Sequence, residues 1–140
     1  MRDELGLDYT TDNPHCVQLF TEVLENYLAS SAQVMPSLEQ LFEHDPVMPM
    51  AQLFRACLLK LAADPRFRVA INQCFNTVSA RPDLNDRERR YLKALSLWQA
   101  DQMADAVAVF DDIVLDYPKD MLALRIAHYL HFYGSGGKQM

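Results

Sequence analysis

The sequence predicts an all-α protein: a right-handed stack of antiparallel helical hairpins, about seven helices forming one α-solenoid. Three observations predict it. Apolar residues recur at three- and four-residue spacings along most of the 140 residues, the period of a helix with one buried face. Only four glycines occur, three of them in the last seven residues, while Ala, Leu, Met, Gln and Glu, which lose little freedom in a helix, are plentiful. Pro46, Pro82 and Pro118 stand 36 residues apart, each behind a predicted helix, where proline stops further winding.

Residues 1–12 read as a polar lead-in without a period. Asn13-Pro14 starts the first helix, since Asn can cap and Pro suits the first helical position. Val17, Phe20, Val23, Leu24, Tyr27 and Leu28 form its inward face. A second helix spans about 33–44, with Leu38, Leu41 and Phe42 inward, and a third carries Met50, Leu53, Phe54, Cys57, Leu58 and Leu61. Asp64-Pro65 repeats the cap-then-proline start for a fourth, with Phe67, Ala70, Ile71, Cys74 and Val78.

Asn85 followed by Glu88 forms a capping box for a fifth helix, carrying Tyr91, Leu92, Ala94, Leu95 and Trp98. Asp101 is the expected cap of a sixth, with Met103, Ala106, Val107, Phe110, Ile113 and Val114. The seventh runs from about Asp120 to Tyr133 and stops at Gly134, leaving residues 135–140 as a flexible tail. Short connections make neighbouring helices antiparallel.

The prolines carry other positions in step. Twelve residues before Pro82 and Pro118 stand Ala70 and Ala106; eight before stand Cys74 and Phe110; fifteen before stand Phe67 and Met103. The first unit has Val34 and Leu38 at the matching places. A small residue lets the two helices of a hairpin approach closely, and a larger one a turn later fills the space against the next hairpin. A single hairpin cannot bury its own apolar face, so the units, about 13–46, 47–82, 83–118 and a partial 119–134, stack.

The spacing of Ala106, Phe110 and Pro118, with Ala94 in the preceding helix, resembles a tetratricopeptide repeat; Arg90 and Lys93 depart from it by standing where that repeat has large apolar residues. A narrower likeness covers nearly the whole chain. Thr10-Thr11-Asp12-Asn13-Pro14, Asp64-Pro65-Arg66-Phe67 and Arg87-Glu88-Arg89 resemble the family of tetratricopeptide repeat protein 38 and its bacterial relatives. The most specific part is Tyr117-Pro118-Lys119-Asp120-Met121-Leu122-Ala123-Leu124-Arg125-Ile126-Ala127-His128. The resemblance implies a helical repeat fold rather than a reaction. It also implies a longer parent protein, of which this chain would be an N-terminal portion.

The net charge of −6 and pI near 5.0 weigh against nucleic acid as a partner, because phosphate backbones repel an acidic surface. Cys16, Cys57 and Cys74 each lie among apolar residues at helical positions, as free buried thiols do, and imply a reducing compartment. Met1-Arg2-Asp3-Glu4 places acid where a secretory leader needs an apolar run, and no stretch approaches the roughly 20 apolar residues of a membrane span. The expected location is the cytoplasm.

Several clusters invite chemistry and have plainer readings. His128 and His131 share a helix face at a spacing a metal could use, but no further ligands stand nearby in sequence. Asp101, Asp105, Asp112 and Asp116 form a stripe opposite an apolar face, which reads as solvated. Arg87, Arg89, Arg90 and Lys93 are interleaved with Asp86 and Glu88, again a solvated face. Gly134-Ser135-Gly136-Gly137 follows a helix rather than a strand and lacks the lysine of a phosphate loop. No catalytic residue, metal site or cofactor is assigned.

The expected function is therefore a non-catalytic scaffold that docks a peptide or partner helix in the concave groove lined by the first helix of each hairpin. The expected contacts are Gln52, Arg55, Leu59, Glu88, Tyr91, Leu95, Trp98 and His131, with Trp98 somewhat more readily read as core. The alternative is an accessory helical domain of a larger protein of small-molecule metabolism. The last helix is expected to leave Leu122, Ile126, Leu130 and Tyr133 uncovered, a surface for self-association.

Overall fold

The computed structural model describes residues 1–132, which contain seven α-helices and no strand. The helices are α1 (Pro14–Leu28), α2 (Val34–His44), α3 (Pro49–Ala62), α4 (Arg68–Ser79), α5 (Asp86–Gln99), α6 (Met103–Asp116) and α7 (Met121–Leu130). A single 3₁₀ turn, Pro65–Phe67, leads into α4. Each of the seven helices predicted from apolar spacing is present. The expected end of α7 at Tyr133 and Gly134, and the tail, lie outside the described residues.

Side-chain caps start three of the seven helices and the 3₁₀ turn before α4. The Asn13 carboxamide accepts from the His15 amide at 3.0 Å, and Asp64 accepts from the Arg66 amide at 2.9 Å. Asn85 and Glu88 close both halves of the capping box, at 2.8 and 3.0 Å. Asp120 caps α7 through the Ala123 amide at 3.0 Å.

Asp101 does not cap α6, as expected from sequence; Gln102 holds that position without a side-chain bond. Asp101 instead takes a left-handed conformation, φ 61°, which Asp tolerates better than most residues. Its amide donates to the Trp98 carbonyl and that of Gln102 to Leu97, so this residue ends α5 rather than starting α6. Ala63, at φ 54°, turns the chain in the same way at the end of α3.

The helices pack as consecutive pairs, α1 on α2, α3 on α4 and α5 on α6; α3 also packs on α5, and α6 on α7. Edge-on aromatic contacts run through the interior, Phe20 and Tyr27 against Phe54 at 6.0 and 5.5 Å, and Tyr91 against Phe110 at 5.8 Å. Ala106 is fully buried, as its place in the repeat requires, whereas Ala70 is only half-buried. The small-residue contact is thus tight in the third unit and loose in the second.

Two expectations are overturned by packing. Residues 1–12 are not a mere polar lead-in. Leu7, Tyr9 and Thr11 are buried, and Gly6 supplies a positive φ of 81° for the turn that folds this strap onto the helices. Nor is the α7 face uncovered. Leu122, Ile126 and Leu130 are at most 1 % exposed, because α7 lies against α6 and the end of α1. Arg125 stacks over the Tyr27 ring at 5.4 Å and donates to the Leu28 carbonyl at 3.3 Å. Those three residues offer no surface for self-association; Tyr133 lies outside the described residues.

Candidate functional site

The eight residues expected to line a groove separate into three groups. Glu88, Tyr91 and Leu95 are fully buried and Trp98 is 6 % exposed, so the first three are core and not groove contacts. The reason is closure: α3 packs on α5, α7 folds back to α1, and the strap covers the start of α5. The surface expected to be concave is filled with side chains. Gln52, Arg55 and Leu59 are half-buried. The Gln52 amide donates to the Pro46 carbonyl at 2.8 Å, and Arg55 points Nη1 at Cys74 Sγ, 3.8 Å away. His131 is exposed and sits 2.9 Å from the Asp111 carboxylate.

Of the eight, Leu59 and Trp98 meet at one place. They line a cleft of about 610 Å³ between the C-terminal ends of α3 and α5 and the starts of α4 and α6. Its position follows from two of the three non-glycine left-handed residues: Ala63 and Asp101 turn two successive hairpins sharply, and the space between the turns stays open. Leu59 and Tyr129, both half-buried, supply apolar surface over the nearly buried Ile71 and Trp98, with Lys60, Arg68 and the acidic Asp64 and Asp101 beside them. Trp98 and Tyr129 lie 6.5 Å apart and tilted.

Lys60 Nζ stands 5.5 Å over the Trp98 ring and donates to Gln99 Oε1 at 2.8 Å. Partial burial pushes its pKa down; Asp101 pulls the other way, and the Arg68 charge adds to the depression. Chemically, the cleft can seat an apolar side chain on Leu59 and the small exposed edge of Trp98, with Lys60 and Arg68 and the carboxylate of Asp101 at its rim.

A second constellation escaped the sequence reading. Arg87, expected on a solvated basic face, is 3 % exposed and pairs with Asp120, 2 % exposed, at 2.9 Å. The Tyr91 hydroxyl donates to the same carboxylate at 2.8 Å. The Arg87 guanidinium also covers the Tyr9 ring at 4.8 Å and donates to the Asp8 carbonyl at 3.1 Å. Glu88 accepts from the Thr10 amide at 3.0 Å and from the Thr10 hydroxyl. Burial is the largest single influence and opposes the Arg87 charge, but the charge of Asp120, its hydrogen bond and the neighbouring Tyr9 and Tyr91 together outweigh it and hold the pKa above its ordinary value. Burial first, and the Asp120 charge second, drive the Tyr91 hydroxyl well above its usual range. A signal was present in the sequence: Arg87 stands four residues before Tyr91, on the apolar stripe that continues through Ala94, Leu95 and Trp98. The network joins strap, α5 and the start of α7.

The three cysteines are free and buried, and burial raises each thiol pKa. Among the described residues no three His, Cys, Asp or Glu side chains are placed to hold a metal, and no helix is long and apolar enough to cross a membrane. The stripe residues Asp101, Asp105, Asp112 and Asp116 are exposed, and Asp116 pairs with Arg90. No protein-family model matches the chain. No solved structure matches it significantly.

Proposed function

We propose that the chain is a non-catalytic docking module of tetratricopeptide type, a right-handed stack of hairpins that holds a peptide segment or helix of a partner protein. The cleft between the ends of α3 and α5 carries this reading. It gathers Leu59 and Trp98 with two cationic side chains, and Trp is among the residues over-represented where binding energy concentrates. The expected binding face thus moves from the filled inner surface to the hairpin turns. The preferred ligand segment presents an apolar anchor next to polar groups that meet Lys60 and Arg68 on one side of the cleft and Asp101 on the other.

Capture from native cells with the wild-type chain, Leu59→Asp and Arg68→Glu tests the reading. Leu59 is half-buried and Arg68 exposed, so both variants should melt like the wild type. A specific partner should be retained by the wild type and weakened by about 2 kcal/mol or more in Leu59→Asp. A partner held equally by all three chains refutes the cleft as the docking face.

A further inference from the structure

Residues 7–11 of the strap lie on the helices as an extended peptide lies on its receptor. Leu7, Tyr9 and Thr11 are buried while Asp8 between them is exposed, the alternation of an extended chain. The helices hold the main chain of the strap as well as its side chains. The Asp8 carbonyl accepts from Asn85 Nδ2 at 3.0 Å and from Arg87 Nη2 at 3.1 Å. The Thr10 amide donates to Glu88 Oε2 at 3.0 Å, and the Thr10 hydroxyl donates to Glu88 Oε1. The Tyr9 ring meets Phe20 edge-on at 5.4 Å and the Arg87 guanidinium at 4.8 Å. The Thr11 hydroxyl donates to Asp45 at 2.6 Å. Main-chain bonds of this kind give affinity for an extended segment, and pockets for alternate side chains select its sequence.

The groups that hold the strap are themselves fixed from elsewhere. Asn85 and Glu88 position each other through the capping box of α5. Arg87 is paired with Asp120, and Asp45 accepts from the Val47 amide at 3.2 Å. The arrangement therefore persists when the strap lifts. Lifting also returns water to the Glu88 carboxylate, which is 0 % exposed beneath the strap. Asp12 is exposed and joins the strap to the Asn13 cap of α1, a point about which the strap can swing while the helices stay in place.

We propose that the start of α5, with Phe20 and Asp45, is a clamp for an extended protein segment, occupied in cis by residues 7–11. The partner segment it fits repeats the pattern of the strap: an apolar residue, any residue, a tyrosine and two hydroxyl residues. The strap holds the clamp shut until such a segment displaces it. A segment of a different protein suits the clamp better than the strap of a second copy, because exchanging identical straps remakes only the contacts it breaks while association costs translational and rotational freedom. The clamp is separate from the docking cleft and does not depend on it.

A fluorescent peptide with the sequence of residues 5–12 tests the proposal, titrated by anisotropy into the full chain and into full-length Tyr9→Ser, whose own strap has lost its anchor. The wild-type strap competes, so the apparent affinity for the peptide is reduced by the fraction of chains whose clamp is open. Tyr9→Ser should bind the peptide at least about tenfold more tightly than the wild type, and a peptide with serine in place of its tyrosine should bind neither chain. Native-state hydrogen exchange of the wild type keeps the test open if Tyr9→Ser misfolds. The Thr10 amide should exchange well before the amides of Tyr91 and Leu95 within α5, through local lifting of the strap. Peptide binding no tighter to a folded Tyr9→Ser than to the wild type overturns the clamp. So does equal binding of the serine peptide, or a Thr10 amide that exchanges only with global unfolding. A wild-type chain that is dimeric by light scattering and becomes monomeric on adding the peptide assigns the clamp to a second copy and overturns a separate partner.

Discussion

Replacing Asp120 by alanine removes three interactions at once: the ion pair to Arg87 at 2.9 Å, the bond from the Tyr91 hydroxyl at 2.8 Å and the cap on Ala123 at 3.0 Å. Arg87 and Asp120 are 3 % and 2 % exposed, so water cannot replace the lost partner. Breaking such a buried pair costs about 3–5 kcal/mol, and losing an Asp cap about 1 kcal/mol more. Against a total stability of about 5–15 kcal/mol, Asp120→Ala is expected to leave the chain barely folded or unfolded. Asp120→Asn keeps a capping oxygen and an acceptor for Tyr91 but loses the charge, so it should fall between the wild type and Asp120→Ala. Urea unfolding followed by helical circular dichroism measures each.

The double variant Arg87→Met/Asp120→Asn carries the decisive comparison. If each single loss hurts chiefly by stranding the other charge, the pair together should cost well under the sum of the singles. Strict additivity, or a loss below about 1.5 kcal/mol in Asp120→Ala, would refute the account of the network as a buried, mutually dependent unit.

Packing asymmetry between repeat units gives a second expectation: Ala106→Leu should cost about 1–3 kcal/mol by overpacking, and Ala70→Leu clearly less, since Ala70 is half-buried; equal losses in chemical denaturation would contradict this. Phe110→Ala, at 0 % exposure against Tyr91, should cost about 3–5 kcal/mol in the same assay. The thiols should react with a disulfide reagent at neutral pH only after denaturant is added, because all three are buried and their pKa values are raised; rapid labelling of the native chain would contradict their placement. Lys60 has a folded pKa below its ordinary 10.5, so the folded state binds fewer protons through that window. Its unfavourable contribution is fully present below the folded pKa and fades as pH rises towards 10.5. Lys60→Met should remove that part of the alkaline pH dependence, measured as the difference in stability between the two chains across pH 8–11.

Helices were legible in this sequence because helix formation is a local matter. Asn13-Pro14, Asp64-Pro65 and the Asn85–Glu88 box act within four residues, and each appears in the structure where its chemistry places it. Asp101 shows the limit even of local reading: an Asp before a helix can cap it or take the left-handed turn that ends the preceding one, and here the bonds to Trp98 and Leu97 select the latter. The site was much less legible, because exposure depends on closure between distant segments. Arg125 meets Leu28 across 97 residues and Thr10 meets Glu88 across 78. Those contacts turn the face of Tyr91 and Leu95 into core. Periodicity identifies the face of a helix that avoids water; it does not say whether a groove, a neighbouring helix or a strap covers it. Leu59 stays half-buried at a surface, with Trp98 nearly buried beside it, where the chain reverses at Ala63 and Asp101, two non-glycine left-handed residues. Ala63 and Asp101 also line the cleft, so Ala63→Gly and Asp101→Gly ease the backbone and remove only the turn residues' own side chains; docking preserved in both assigns the contact to Leu59, Lys60 and Arg68.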